Sequence, residues 1–249
     1  LYVMARNGGT LYRVDDMGRP AVVFDLAGAG LAQPQSIFFA PSGDLTDEPW
    51  RTSLYVADGG TDGRAAIVEL AFTMPMIQPS ATGSTEAVLV SSFHTSTYTP
   101  PSPDPVGVAY LPRTGTLLIS DSEVSEMPQY FTGDNLFHAS LSGALVRTTT
   151  TIPFSDEPTG LALNPQNGHL FVTDDTGIRS IYEEDPGADR LYGTADDSVT
   201  SFPTAAFGSL DPEGIAYARD GSGDLFIADG VNREVYRVSS GPNGVFDGV

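Results

Sequence analysis

The chain has 249 residues, 40% of them hydrophobic, with 27 Gly, 19 Pro, no Cys, and 32 acids against 12 bases for a formal net charge of −20. Nearly one residue in five is Gly or Pro, against about 12% in an average protein, which excludes long helices as the main building element. The missing Cys excludes disulfides, thiolate metal sites and a thiol nucleophile, and no run approaches the roughly 20 apolar residues of a membrane span.

Every base is Arg. A phosphate-cradling loop that needs Lys is therefore excluded, and so negative a field makes nucleic acid and anionic membrane surfaces poor partners. Asp outnumbers Glu by 22 to 10, and short carboxylates in Gly-rich loops suit turns and hard cations.

In chain order, Leu1 to Met4, Thr10 to Val14 and Ala21 to Phe24 are short strand-like runs. Four longer units follow. Each opens on a first run: Gln33-Pro34-Gln35-Ser36-Ile37-Phe38-Phe39, Asp104-Pro105-Val106-Gly107-Val108-Ala109-Tyr110, Glu157-Pro158-Thr159-Gly160-Leu161-Ala162-Leu163 and Asp211-Pro212-Glu213-Gly214-Ile215-Ala216-Tyr217. A Pro or Gly turn leads to a second run that ends in Asp58, Asp121, Asp174 or Asp229, spaced 63, 53 and 55 residues apart. Third runs appear at 178–182 and 233–237, and a fourth at 198–202. Residues 73–98 and 122–138 are long insertions in the second and third units.

Three or four short β-rich runs per unit describe an antiparallel meander. Repetition near every 54 residues points to a β-propeller, an all-β ring of four-stranded antiparallel blades that bury their apolar faces against one another. A β-sandwich does not explain four phased copies of one pattern. Five or six blades are expected: a partial blade at 1–32, blades at 33–103, 104–156 and 157–210, and an incomplete blade at 211–249. The innermost run of the first unit is missing and the last unit stops early, so the single domain reads as a fragment of a longer protein. The Pro-x-Gly-[Ile/Val/Leu]-Ala…Leu-[Tyr/Phe]-[Val/Ile]-x-Asp pattern resembles the NHL-repeat and SMP-30/gluconolactonase-like propellers, and also the phytase-like bacterial ones.

Residues 185–197 place Asp185, Asp189, Asp196 and Asp197 around Gly187 and Gly193. Shifted by 54 residues, Gly187 falls on Gly241, Asp189 on Asn243, Leu191 on Val245 and Tyr192 on Phe246. Calcium takes six to eight oxygens from Asp or Asn side chains and carbonyls in tight turns. Asp185, Asp189, Asp196, Asp197, Asn243 and Asp247 are the expected calcium ligands; a solvated hairpin rich in Asx turns is the alternative. The turn resembles the Asp/Gly-rich calcium turns of large bacterial surface proteins, and it lacks the EF-hand core.

The ends of the second runs and the starts of the first runs share one end of the ring. Asp58, Asp121, Asp174, Asp229 and Glu213 are thus candidates for an axial metal site, and the resemblance to lactonases implies that Glu213 matches a metal-ligating Glu. Gln35, Val106 and Thr159 stand at the equivalent positions, Ala5 replaces the Asp of the first unit, and no Asn-Gly pair occupies the place of the family's Asn ligand. The repeated Asp is read first as a turn residue that bonds backbone amides. His94, His138 and His169 are distant in sequence, no Gly-x-Ser-x-Gly elbow occurs, and no catalytic residue is assigned.

The expected function is a secreted or cell-surface, calcium-stabilised propeller that binds, adheres or assembles with a protein partner or with itself; a small ligand is also open. The alternative is a metal-dependent hydrolase of the lactonase or phytase-like kind.

Overall fold

The computed structural model describes residues 1–5, 9–15, 17–48, 50–61, 63–72, 85–242 and 244–246. They form eighteen β-strands, and among the described residues the only helical turns are four short 3-10 segments. Blade 1 consists of β1 (Tyr2–Met4), β2 (Thr10–Val14) and β3 (Pro20–Asp25). Blade 2 has β4 (Pro34–Pro41), β5 (Thr52–Asp58), β6 (Ala66–Phe72) and β7 (Thr85–His94), and blade 3 has β8 (Pro105–Leu111), β9 (Thr116–Asp121), β10 (Leu136–Ser140) and β11 (Leu145–Thr149). Blade 4 has β12 (Pro158–Leu163), β13 (Leu170–Asp174), β14 (Ser180–Asp185) and β15 (Ser198–Pro203); blade 5 has β16 (Pro212–Tyr217), β17 (Leu225–Asp229) and β18 (Glu234–Val238). Within each blade the strands pair antiparallel with their sequence neighbours, and β3 and β7 join blades 1 and 2 by a short parallel pairing. The described residues form a five-bladed β-propeller whose first and last blades are three-stranded.

Alternation along each strand sends successive side chains to opposite faces, and the seams between blades take both sets. Tyr55, Ala57 and Ile67 of blade 2 pack with Val108, Ile119 and Phe137 of blade 3. Leu118 and Leu136 from the other face of blade 3 meet Leu161 and Val172 of blade 4. Phe171 and Ile181 then meet Leu225 and Ile227 of blade 5. Phe171, Phe137 and Tyr55 are fully buried, so each seam is a core in its own right and none is complete without both sheets.

The inner strands β4, β8, β12 and β16 crowd the axis, which explains the small residue of the first run. A Cβ on Gly107 would come within 2.9 Å of Leu161 Cγ in the next blade, and one on Gly160 within 2.4 Å of the Glu213 carbonyl. Bonds cross at the same level: the Thr159 hydroxyl donates to the Pro212 carbonyl at 2.9 Å and the Thr173 hydroxyl to the Glu213 carbonyl at 2.7 Å. Gly214 faces open space, with only the Ala228 Cβ at 3.9 Å. The expected outcome of Gly160→Ala is a loss of about 1–3 kcal/mol from overpacking, against a change within about 0.5 kcal/mol for Gly214→Ala. Thermal melts of the two variants read the difference directly.

Candidate functional site

Inner strands that run side by side bring their first residues to one end of the axis, together with the Asp that closes each second strand. Those Asp residues are latches. Asp58 accepts the Ala32 and Gln33 amides at 2.8 and 2.6 Å and the Gly60 amide at 3.0 Å. Asp121 accepts the Ser102 hydroxyl (2.7 Å) and the amides of Asp104 (2.9 Å), Glu123 (3.2 Å) and Val124 (2.8 Å). Asp229 accepts the Ser209 hydroxyl and the amides of Leu210, Asp211 and Asn232. In Asp121 and Asp229 one oxygen holds the segment entering the inner strand and the other holds the turn leaving the second strand; in Asp58, Oδ1 takes both the Gln33 and the Gly60 amides. Asp174 differs: its Oδ1 takes the Thr176 amide and hydroxyl at 2.9 and 3.0 Å, and the matching Ser155 hydroxyl is buried with no partner.

The axial candidates therefore divide. Asp58, Asp121 and Asp229 are saturated by donors from the chain. Glu213 instead meets Asp211 and Asp175, the three offering oxygens within 4.8 Å of one another. Asp175 has a buried Oδ1 without a hydrogen-bond donor and faces Glu157. Two carboxyls in contact satisfy each other only when a proton or cation lies between them. Burial and then the Asp175 charge push Glu157 up to about 7; burial likewise raises Asp175. Burial, with Asp121 and Glu123 beside it, pushes Asp104 up to about 6. Asp104, Glu157 and Asp211 each stand immediately before the proline that opens an inner strand. An acid-Pro dipeptide opens every first run except that of Gln33, and this dipeptide is the sequence signal for the acids gathered at this mouth.

The second cluster lies on the rim, in the connection from β14 to β15. Asp189, Asp196 and Asp197 converge, with oxygens within 4.8 Å of one another. Asp196 Oδ2 accepts the Ala188 and Asp189 amides at 2.8 and 3.2 Å, and its Oδ1 accepts the Thr194 hydroxyl at 2.9 Å. That hydroxyl and those amides hold its carboxyl below the usual range. Asp197 accepts the Thr194 amide at 2.6 Å. Asp185 points elsewhere, accepting the Gly187 amide at 3.2 Å and lying 3.6 Å from His169 Nε2. Asn243 and Asp247 lie outside the described residues. The turn folds back over the seam: Tyr192 packs in the core between blades 3 and 4 and donates to the Gly168 carbonyl at 2.7 Å. Phe246, its counterpart 54 residues on, packs in the next seam against Phe171 and Phe202.

Sequence reasoning missed Glu184, which lies fully buried beneath this turn. Burial and Asp197 push its carboxyl up to about 8. Its signal was an acid in a column of apolar residues, legible only with the strand register.

Native carboxyls with raised pKa bind protons that the unfolded chain, with Asp near 3.8 and Glu near 4.5, has released. These carboxyls therefore add stability as pH falls from about 7 towards 5, across the window set by Asp104 and Glu157, and outweigh the opposing loss at buried His138, whose imidazole is lowered to about 4. Thermal melts from pH 8 to pH 5 are expected to show Tm climbing on acidification, with a shallower climb in Glu157→Gln; a Tm that falls over this range contradicts the assignment.

No protein-family model matches the chain, and no curated protein matches it. Solved structures with a related arrangement include the nidogen/laminin complex, at TM-score 0.47 and 13% identity over 96% of this chain and 74% of that one. A candidate 6-phosphogluconolactonase of Bacteroides uniformis aligns at TM-score 0.46 and 14% identity over 99% of this chain and 65% of its own. The mitotic checkpoint complex aligns at TM-score 0.45 and 12% identity over 99% and 59%. The chain spans less than two thirds of the length of the last two.

Proposed function

We propose that this chain is a secreted or cell-surface binding and assembly module, stiffened by calcium at the blade 4 turn. The observation that carries the calcium part is the convergence of Asp189, Asp196 and Asp197 within 4.8 Å on a segment that crosses the seam between two blades. Three carboxylates so close offer a hard cation several oxygens at once, and oxygen-only ligands on a tight Gly-bearing turn suit calcium. Exposed, partly hydrated sites of this kind bind with the modest affinity that extracellular calcium concentrations satisfy.

The partner is a protein or a second copy of the chain. Loop side chains favour protein contact: Trp50, the sole Trp, is 79% exposed, and Leu45 in the same β4–β5 connection is 96% exposed. Exposed Trp is a common anchor of protein interfaces. The acidic mouth and the net charge of −20 favour a basic surface on that partner.

A second reading, a metal-dependent hydrolase, is favoured by Asp175, Asp211 and Glu213 meeting at the axis. A crystal soaked in manganese separates the two. Anomalous signal at the blade 4 turn alone supports the binding module, and signal among Asp175, Asp211 and Glu213 supports the hydrolase. Calorimetry is expected to show calcium binding with a Tm that rises in calcium and falls in chelator; no heat and no change in Tm would remove calcium from the proposal.

A further inference from the structure

Opposite Tyr55, Leu118, Phe171 and Phe226 in the strand registers, the third strands of blades 2 to 5 carry Glu69, His138, Glu183 and Arg237. Three of these polar side chains have close partners. Glu69 accepts the Gly43 amide at 2.9 Å and the Ser91 hydroxyl at 2.8 Å, Glu183 lies 2.7 Å from His169 Nδ1, and Arg237 pairs with Asp224. His138 is 3% exposed, yet among the described residues its ring meets only the Thr149 hydroxyl, at 3.5 Å, beyond the usual hydrogen-bond range. Burial and then the Arg147 charge pull its imidazole down to about 4, so at neutral pH it is uncharged and offers one ring N–H. Arg147 stands directly opposite His138, and the β10–β11 register shifts just beyond this pair. Bulges of this kind re-aim side chains.

His138 lines a cavity of about 40 Å³ together with Thr114 and Thr116 of the β8–β9 hairpin, Arg147 of β11, and Arg190 and Tyr192 of the blade 4 turn. Since β8 begins at the acidic mouth, this hairpin lies at the other end of blade 3. The Thr114 and Thr116 hydroxyls hydrogen-bond each other at 2.6 Å, which leaves one O–H free to donate. Arg113 stands beside the cavity: burial and then Glu184 push the Tyr192 hydroxyl up to about 12, against the opposing charge of Arg113. In a chain with 32 acids and 12 bases, none of Arg113, Arg147 and Arg190 forms an ion pair among the described residues. Asp189, next to Arg190, instead accepts the Leu191 amide at 2.8 Å. Arg190 also holds φ +57°, a left-handed conformation uncommon for such a residue, and strained backbone clusters where ligands are held.

We propose that this cavity binds a small tetrahedral oxyanion, phosphate or sulfate, between the Arg147 and Arg190 guanidinium groups, with the free hydroxyl of the Thr114–Thr116 pair and the His138 ring N–H as neutral donors. Arginine presents paired N–H donors that match such oxygens. Size sets the class, because about 40 Å³ is room for a few waters or one small ion. The net charge of −20 opposes anions only weakly here, since salt screens exposed charges beyond about 8 Å. None of the proposed calcium ligands lines the cavity, so the two sites stand or fall separately.

Sodium phosphate and sodium sulfate, each titrated into the full chain by calorimetry at fixed ionic strength with sodium chloride as the blank, test the site. The unaltered chain is expected to bind one phosphate or sulfate. Arg147→Gln and Arg190→Gly are each expected to weaken that binding at least fivefold. Both side chains are exposed, and Gly relieves the positive φ, so Arg190→Gly is expected to melt at or above the unaltered chain. Arg64→Gln, which removes the same charge from the β5–β6 connection at the acidic end, is expected to bind as the unaltered chain does. No heat with either anion, full affinity in either site variant, or equal weakening in Arg64→Gln overturns the proposal.

Discussion

A sheet of three or four strands has two apolar faces and no way to bury both by itself, and every other feature of this chain depends on how that problem is solved. Each blade lends one face to the seam behind it and the other to the seam ahead. Leu118 and Phe137, near neighbours in the same blade, belong to different cores for this reason. The seams close only where inner strands come very near, and Gly107 and Gly160 stand where a methyl group would strike the next blade. Stability is thereby shared between neighbours, as in other arrays of repeated units.

The same convergence concentrates charge. Inner strands that begin side by side bring Asp104, Glu157, Asp211 and Glu213 to one mouth, while the latching aspartates hold the loops around it. The two groups of acids differ in their partners. Asp58, Asp121 and Asp229 accept backbone amides from the chain around them. Glu157 and Asp175 face each other with few donors, and the charges that raise Glu157 and Asp104 all come from acids.

On the rim, the turn after β14 is part of the packing. Tyr192 and Phe246 fill successive seams from the outside, so the connection of each of these blades closes the core behind it. This double duty explains why Gly193 stands among the aspartates. Gly193 adopts φ +73° and approaches the backbone of Thr150 too closely for any side chain. Glu184 ties the polar cluster to the apolar seam beneath it.

Much of this was legible in the amino-acid order alone. Short alternating runs, phased Pro and Gly, and a recurring terminal Asp determined an all-β ring with incomplete first and last blades, because period-2 patterning and turn chemistry are local properties. The latching role of Asp58, Asp121 and Asp229 was equally local, since an Asp that ends a strand bonds to nearby amides. The grouping of acids was not. Asp175 meets Asp211 and Glu213 across two blades, Asp185 turns away from the cluster it borders in sequence, and Glu184 reads as one more surface acid until strand register sets it opposite Leu170. Side chains separated by tens of residues become neighbours only when sheets pack, and burial, which decides whether a carboxyl is a solvated charge or is held in its neutral form, exists only once the seam has closed.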